Sequence, residues 1–169
     1  YALLTEKPVL LVVNLGEGQL RDAAGTLERI GLKAFANRPH VMLCPVSATI
    51  EAEISRLSPD DARLFVEDLG LTEPGLDRVL TASYTLLGYI SFLTAGEDEC
   101  RAWTIRKGTR AQEAAGAVHS DIERGFIRAE VVSFDELMTA GSFAPARDKG
   151  WLRLEGKESL VRDGDVVHF

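Results

Sequence analysis

The sequence predicts an α/β protein in two parts: a parallel βαβ unit, then a small mixed sheet with a crossing helix. Two observations carry this. Two short apolar runs, Pro8 to Val13 and Val41 to Val46, flank a stretch with helical apolar spacing. That is the pattern of parallel strands joined by a crossover helix. From about Gly88 onward, helical spacing gives way to short alternating strands separated by turn residues.

Composition sets the limits. With 169 residues and 46% apolar content, the chain can bury a real core as one medium domain or two small ones. Its longest apolar stretch, Val9 to Val13, has the size of a buried strand, and no secretory leader is present. A cytoplasmic location is therefore expected. A net charge of −7 excludes attraction of the whole molecule to nucleic acid or anionic membrane, leaving room only for a local basic patch. Cys44 and Cys100 lack metal-ligand spacing and read as reduced packing residues. The chain opens at Tyr1, almost directly on a strand, and reads as cut from something longer.

The elements follow in order. Pro8 to Val13 is read as a parallel strand covered on both faces. Gln19 to Leu32 carries apolar residues at Leu20, Ala23, Ala24, Leu27 and Ile30, a helix with Gly31 as its stop. After the second strand, Ile50 to Leu57 continues as a helix. Ser58, Pro59, Asp60 and Asp61 make the next helix start, and Gly70 closes it. A further helix from Glu73 or Pro74 to Leu87 presents Leu76, Val79, Leu80, Tyr84 and Leu87 as its apolar face. The domain boundary is placed between residues 87 and 88.

Beyond it, strands are expected at Tyr89 to Thr94, Arg101 to Lys107, Ile127 to Ser133, Trp151 to Glu155 and Val166 to Phe169. Helices are expected at Ala111 to His119 and Phe134 to Ala140, with a turn at Arg162-Asp163-Gly164-Asp165. This order is compatible with a β-grasp, ubiquitin-like sheet.

Two loops at strand ends are candidate ligand sites. Asn14-Leu15-Gly16-Glu17 lies just past the carboxyl end of the first strand, where open α/β sheets bind ligands. In G proteins, Asn-Lys-x-Asp at this point reads guanine. Here Leu15 replaces Lys and Glu17 replaces Asp, and the longer carboxylate arm favours adenine. An ordinary strand-to-helix turn would suit the same residues. Ser47-Ala48-Thr49 ends the second strand and reads either as a second base loop offering backbone N–H groups or as a helix N-cap. The two loops lie on neighbouring strands of one βαβ unit, which makes them more specific together than apart.

On these residues the chain resembles the YchF/Obg-like ATPase family. The resemblance runs through Lys7-Pro8-Val9-Leu10, the two loops above, and Glu67-Asp68-Leu69-Gly70-Leu71-Thr72-Glu73-Pro74-Gly75. It is strongest in Arg101-Ala102-Trp103-Thr104-Ile105-Arg106-Lys107-Gly108-Thr109 and in Ala114 to Ile127, which are similar to that family's TGS domain.

The resemblance implies an incomplete C-terminal part of a Ras-like P-loop NTPase sheet at 1–87, followed by a TGS domain at 88–169. It implies ATP hydrolysis with Mg2+ by the intact protein, and association with the ribosome or ribosomal RNA. Asn14 and Leu15 would contact adenine, Glu17 would take the altered specificity position, and Ser47, Ala48 and Thr49 would form the second base loop. The chain holds no Gly-x-x-x-x-Gly-Lys-[Ser/Thr] loop and no magnesium ligands of that family. It is therefore expected not to hydrolyse ATP alone. The alternative is a nucleotide-independent module that binds RNA or protein.

A third candidate is basic. Arg101, Arg106, Lys107 and Arg110 occur with no acid between them and with Trp103 among them. On a strand, Arg101, Trp103 and Ile105 share one face and Ala102, Thr104 and Arg106 the other. The segment reads either as an RNA-binding rim with an aromatic for stacking, or as a core Trp among solvated charges. His119 reads as a helix-end partner, a turn hydrogen-bonder or a ligand contact. Glu97, Asp98 and Glu99 read as a solvated loop.

Overall fold

β1 (Val9–Asn14) and β2 (Val41–Val46) pair in parallel from Val9 opposite Val41 to Asn14 opposite Val46, in a computed structural model that describes residues 3, 6–96 and 99–169. Glu97 and Asp98, read above as part of an acidic loop, lie outside the described residues. The chain divides into two compact units, Tyr1–Leu87 and Gly88–Phe169.

In the first unit the predicted crossover helix is two helices, α1 (Glu17–Leu20) and α2 (Ala23–Arg29). The break lies at Asp22, whose carboxylate accepts from the Gly25 N–H at 3.1 Å and caps α2. A local side-chain bond competes here with helix continuation. A 3-10 turn at Lys33–Phe35 leads toward β2. Then follow α3 (Ala48–Ile54), α4 (Pro59–Asp68) and α5 (Gly75–Leu87). Ser58 caps α4 through the Asp61 N–H, with Pro59 in its first turn. Leu15, Leu20 and Ile50 form the buried cluster, packed by Val13, Phe65 and Leu71.

Two expectations need correction. Val9 and Val12 are 41% and 49% exposed, so β1 is not covered on both faces. A sheet of two strands is too narrow for its helices to seal both faces of the outer strand. The packed side of α5 also differs. Leu76, Leu80 and Leu87 are 62%, 51% and 49% exposed, whereas Gly75, Val79, Ala82, Ser83 and Leu86 turn toward the sheet. Small side chains let the helix approach closely, which apolar spacing alone does not register.

The second unit comprises β3 (Tyr89–Ala95), β4 (Cys100–Arg106), α6 (Ala111–Val118), α7 (Ser120–Gly125), β5 (Ala129–Ser133), α8 (Phe134–Ala140), α9 (Phe143–Asp148), β6 (Arg153–Glu155) and β7 (Asp165–His168). Its strand order is β4-β3-β7-β5-β6. β3 and β7 run parallel and every other pair antiparallel. This is the β-grasp order.

Ala111, Ala114 and Ala115 lay α6 tightly over Phe92, Ile105 and Val131 on one face of the sheet. On the other face α8 and α9 bring Leu137 and Ala146 onto Val132 and Val166. α9 was not foreseen in the sequence between the helix ending at Ala140 and the strand at Trp151. Gly141, at φ 82°, ends α8, and the chain starts again after Ser142.

The turn before β7 ties the sheet together. Asp163 accepts from the Ser91 N–H at 2.8 Å, and the Gly164 N–H donates to the Ser91 carbonyl at 2.9 Å. Gly164 sits at φ 75°, where a side chain would be strained. Asp165, 4% exposed, accepts from Arg153 at 2.6 Å and from the Arg162 N–H at 2.9 Å. The Asp163-Gly164-Asp165 run thus has a structural role.

Candidate functional site

The carboxyl ends of β1 and β2 carry both base-loop candidates. Asn14 is the last residue of β1, and its Oδ1 accepts from the Ala48 N–H at 3.0 Å. The Leu15 N–H donates to the Val46 carbonyl at 2.8 Å. These two bonds lock the loops side by side. With Oδ1 engaged, the Asn14 amide keeps its Nδ2 donors for a ligand, and Asn14 is exposed.

The other predicted residues divide into two groups. Glu17, Ala48 and Thr49 are exposed. Glu17 opens α1 and lies 3.5 Å from Arg21, an exposed pair that holds it weakly. Leu15 and Ser47 turn inward. Leu15 is 6% exposed and belongs to the core cluster, so its side chain packs inward beneath the loop. Ser47 is 1% exposed and stands at the α3 N-cap position with no capping bond from its side chain. Its Oγ has no hydrogen-bond partner among the described residues. The cap expectation is met by backbone position only.

Behind the second loop lies a residue not singled out in the sequence. Glu51, on α3, accepts from the Gly75 N–H at 2.8 Å and from the Leu76 N–H at 3.2 Å. A carboxylate at the amino end of a helix satisfies donors that have no intrahelical partner. A Cβ at Gly75 would come within 2.7 Å of Glu51 Oε1 and 3.2 Å of Val46 Cγ1, so any larger residue there would displace the carboxylate from its bonds. No local motif announces the contact, because the partners are 24 residues apart. A cleft of 520 Å3 between α3 and the start of α5 is lined by Ala48, Glu51, Ile54, Pro74 and Leu76. On β2 itself, burial pushes the Cys44 thiol above its usual range, only partly opposed by the Arg78 guanidinium. Cys44 is thereby kept as a neutral packing thiol.

In the second unit the basic candidates do not form one patch. Arg101 and Arg106 lie at opposite ends of the edge strand β4, opposite Thr94 and Tyr89 respectively, and point to opposite faces. Trp103 is half-buried against the core, donates its Nε1–H to Thr94 Oγ1 at 2.9 Å, and has the Arg101 guanidinium 4.2 Å from its ring centroid. The Arg101 guanidinium thus covers one face of the ring, an arrangement that suits the core-Trp alternative better than the stacking one.

Arg106 lies 5.2 Å from the Tyr89 ring centroid. Stacking of this kind leaves the edge N–H groups of a guanidinium pointing outward. Arg106, Lys107 and Arg110 remain together on the β4–α6 turn. His119 acts as the N-cap of α7, its Nδ1 accepting from the Asp121 N–H at 3.1 Å.

Comparison with known proteins gives these sites a setting. The family YchF-GTPase_C, described as a protein of unknown function (DUF933), matches residues 89–169. The chain is 47% identical over 167 residues to the ribosome-binding ATPase YchF of Bacillus subtilis (strain 168), covering 99% of this chain and 46% of that protein. It is 36% identical over 170 residues to the Obg-like ATPase 1 of Rattus norvegicus, covering 100% of this chain and 43% of that protein.

The solved structure of the Schizosaccharomyces pombe YchF GTPase superposes with a TM-score of 0.80 at 34% identity, over 98% of this chain and 44% of that one. The chain thus spans about half the length of the relatives it matches. No helix among the described residues is long and apolar enough to cross a membrane. Residues 89–169 thus belong to the YchF-GTPase_C family, and the chain as a whole is similar to YchF and Obg-like ATPases.

Proposed function

We propose that this chain is the C-terminal portion of a cytoplasmic, ribosome-associated ATPase, in which the loops at Asn14 and Ala48 receive adenine and the second unit acts as a TGS domain toward ribosomal RNA. The observation that carries the base-site reading is the bond from the Ala48 N–H to Asn14 Oδ1. It fixes two loops from adjacent parallel strands at the place where open α/β sheets take nucleotides.

The exposed groups there suit a purine. Asn14 Nδ2 offers a donor to a ring nitrogen, and the Glu17 carboxylate offers an acceptor to an exocyclic amino group. Ala48 and Thr49 supply exposed backbone beside the ring. Leu15 and Ser47 support the loops from within. Among the described residues no group of three or more His, Cys, Asp or Glu side chains is placed to hold a metal ion. The chain's own contribution is to orient the base; hydrolysis is expected only from the intact protein.

In the full-length protein, Glu17→Asp should lower the ratio of ATP to GTP affinity, measured by calorimetric titration. An unchanged ratio would remove Glu17 from base selection. The 169-residue chain alone should bind ATP weakly, and tight magnesium-dependent binding by it would refute this division of labour. For the TGS surface, Arg106→Ala with Lys107→Ala should weaken ribosome co-sedimentation and flatten its salt dependence. Unchanged binding and slope would sink the RNA reading.

A further inference from the structure

The basic turn after β4 does not stand alone. The loop before Val161 is hydrogen-bonded onto it: the Ala111 N–H donates to the Ser159 carbonyl at 2.8 Å, the Gln112 N–H to the Lys157 carbonyl at 3.4 Å, and the Val161 N–H to the Thr109 carbonyl at 3.1 Å. Arg110 and Leu160 form an antiparallel bridge. Two segments about fifty residues apart in sequence thus make one end of the second unit.

Together they carry Arg106, Lys107, Arg110 and Lys157 against a single carboxylate, Glu158. That is a local excess of positive charge on a chain whose net charge is −7. Glu158 is not idle: its Oε2 lies 2.8 Å from Arg110 Nη1, with the two side chains 76% and 54% exposed. Lys107 and Lys157 have no carboxylate within ion-pair distance among the described residues.

We infer that the RNA-facing surface of the second unit is built from both loops, with Lys157 as a phosphate contact, and that Glu158 holds Arg110 in reserve by competing with RNA phosphate for its guanidinium. The inference rests on the RNA reading above and deepens it. An exposed pair is weak enough for a phosphate to displace it. A guanidinium, once released, binds phosphate through a planar fork of donors. RNA is favoured over an acidic peptide because Lys and Arg on two hydrogen-bonded loops outnumber the one carboxylate there, the clustering that a run of phosphates requires.

The test uses the 169-residue chain and a short fluorescein-labelled single-stranded RNA, read by anisotropy across a salt series. Lys157→Ala should lower affinity severalfold and reduce the salt slope by about 0.7. Glu158→Gln should raise affinity about two- to fivefold. That gain should vanish in an Arg110→Ala background, because the freed guanidinium is its cause.

A gain that persists without Arg110 would make Glu158 a general charge effect and overturn the reserve role. No loss in Lys157→Ala would overturn the two-loop surface. Binding that is weakened by Arg106→Ala with Lys107→Ala, yet indifferent to Lys157 and Glu158, would sink this inference and leave the RNA reading standing. Absence of salt-dependent RNA binding by the unsubstituted chain would overturn both.

Discussion

The Asn14 side chain and the Ala48 backbone, 34 residues apart in sequence, are joined by a hydrogen bond of 3.0 Å across the ends of β1 and β2. This bond holds the two loops side by side. A neutral bond of this kind contributes about 0.5 to 1.5 kcal/mol net. Asn14→Ala in the full-length protein should therefore weaken ATP binding up to about tenfold by titration. Asn14→Asp, which keeps the acceptor for Ala48 and loses the amide donors, separates the two roles. If Asp restores affinity fully, the donors toward the base are irrelevant.

The clamp between Glu51 and the start of α5 is a packing arrangement with little slack. Gly75→Ala drives a methyl group to 2.7 Å from Glu51 Oε1. It should cost about 1 to 3 kcal/mol by urea denaturation of the 169-residue chain. Glu51→Ala leaves the Gly75 and Leu76 N–H groups without the carboxylate and should cost a similar amount, about 1 to 3 kcal/mol. The two changes act on one contact, so their combination should cost clearly less than the sum. Strict additivity would show that the cost at Gly75 arises from something other than its contact with Glu51.

Among the described residues of the second unit, Asp165 is the most deeply buried charged group, at 4% exposed. Asp165→Ala leaves Arg153 and the Arg162 N–H facing its place, and should destabilise the unit by about 3 kcal/mol. Asp163→Ala removes one bond, to the Ser91 N–H, and should cost about 1 kcal/mol. Equal effects would mean that the turn is held by its backbone and not by the Arg153 pair.

The capping box at the start of α8 carries a pH signature. The Ser133 hydroxyl donates to Glu136 at 2.7 Å and the Ser133 N–H at 3.3 Å, which together hold the Glu136 carboxyl below its usual range. A carboxyl depressed on folding adds stability at pH above its unfolded value, about 4.3, and loses that contribution as pH falls through the folded value. The stability difference between the natural chain and Glu136→Gln should accordingly be present at neutral pH and shrink in acid. A difference that stays constant from pH 7 to the acid limb would show that the charge on Glu136 does not matter to the cap.

Much of the architecture is legible locally. The strands at Val9 and Val41, the capped start at Ser58-Pro59, and the helix Phe134–Ala140 each announce themselves by β-branched runs or capping residues within a few positions. The split at Asp22 and the extra helix after Ser142 do not, because there a single side-chain bond or a positive-φ glycine redirects the chain against its apolar spacing.

At the sites the division is similar. Sequence by itself determined which residue types stand at the strand ends and on the β4–α6 turn, since loop position follows from element order. Only the tertiary structure decided that Leu15 packs inward, that Trp103 is held by Thr94 and Arg101, that Glu51 reaches α5, and that Glu158 meets Arg110. The physical reason is common to all four: each depends on which partners occupy the neighbouring space, and at least one of them arrives from a distant part of the same unit's sequence.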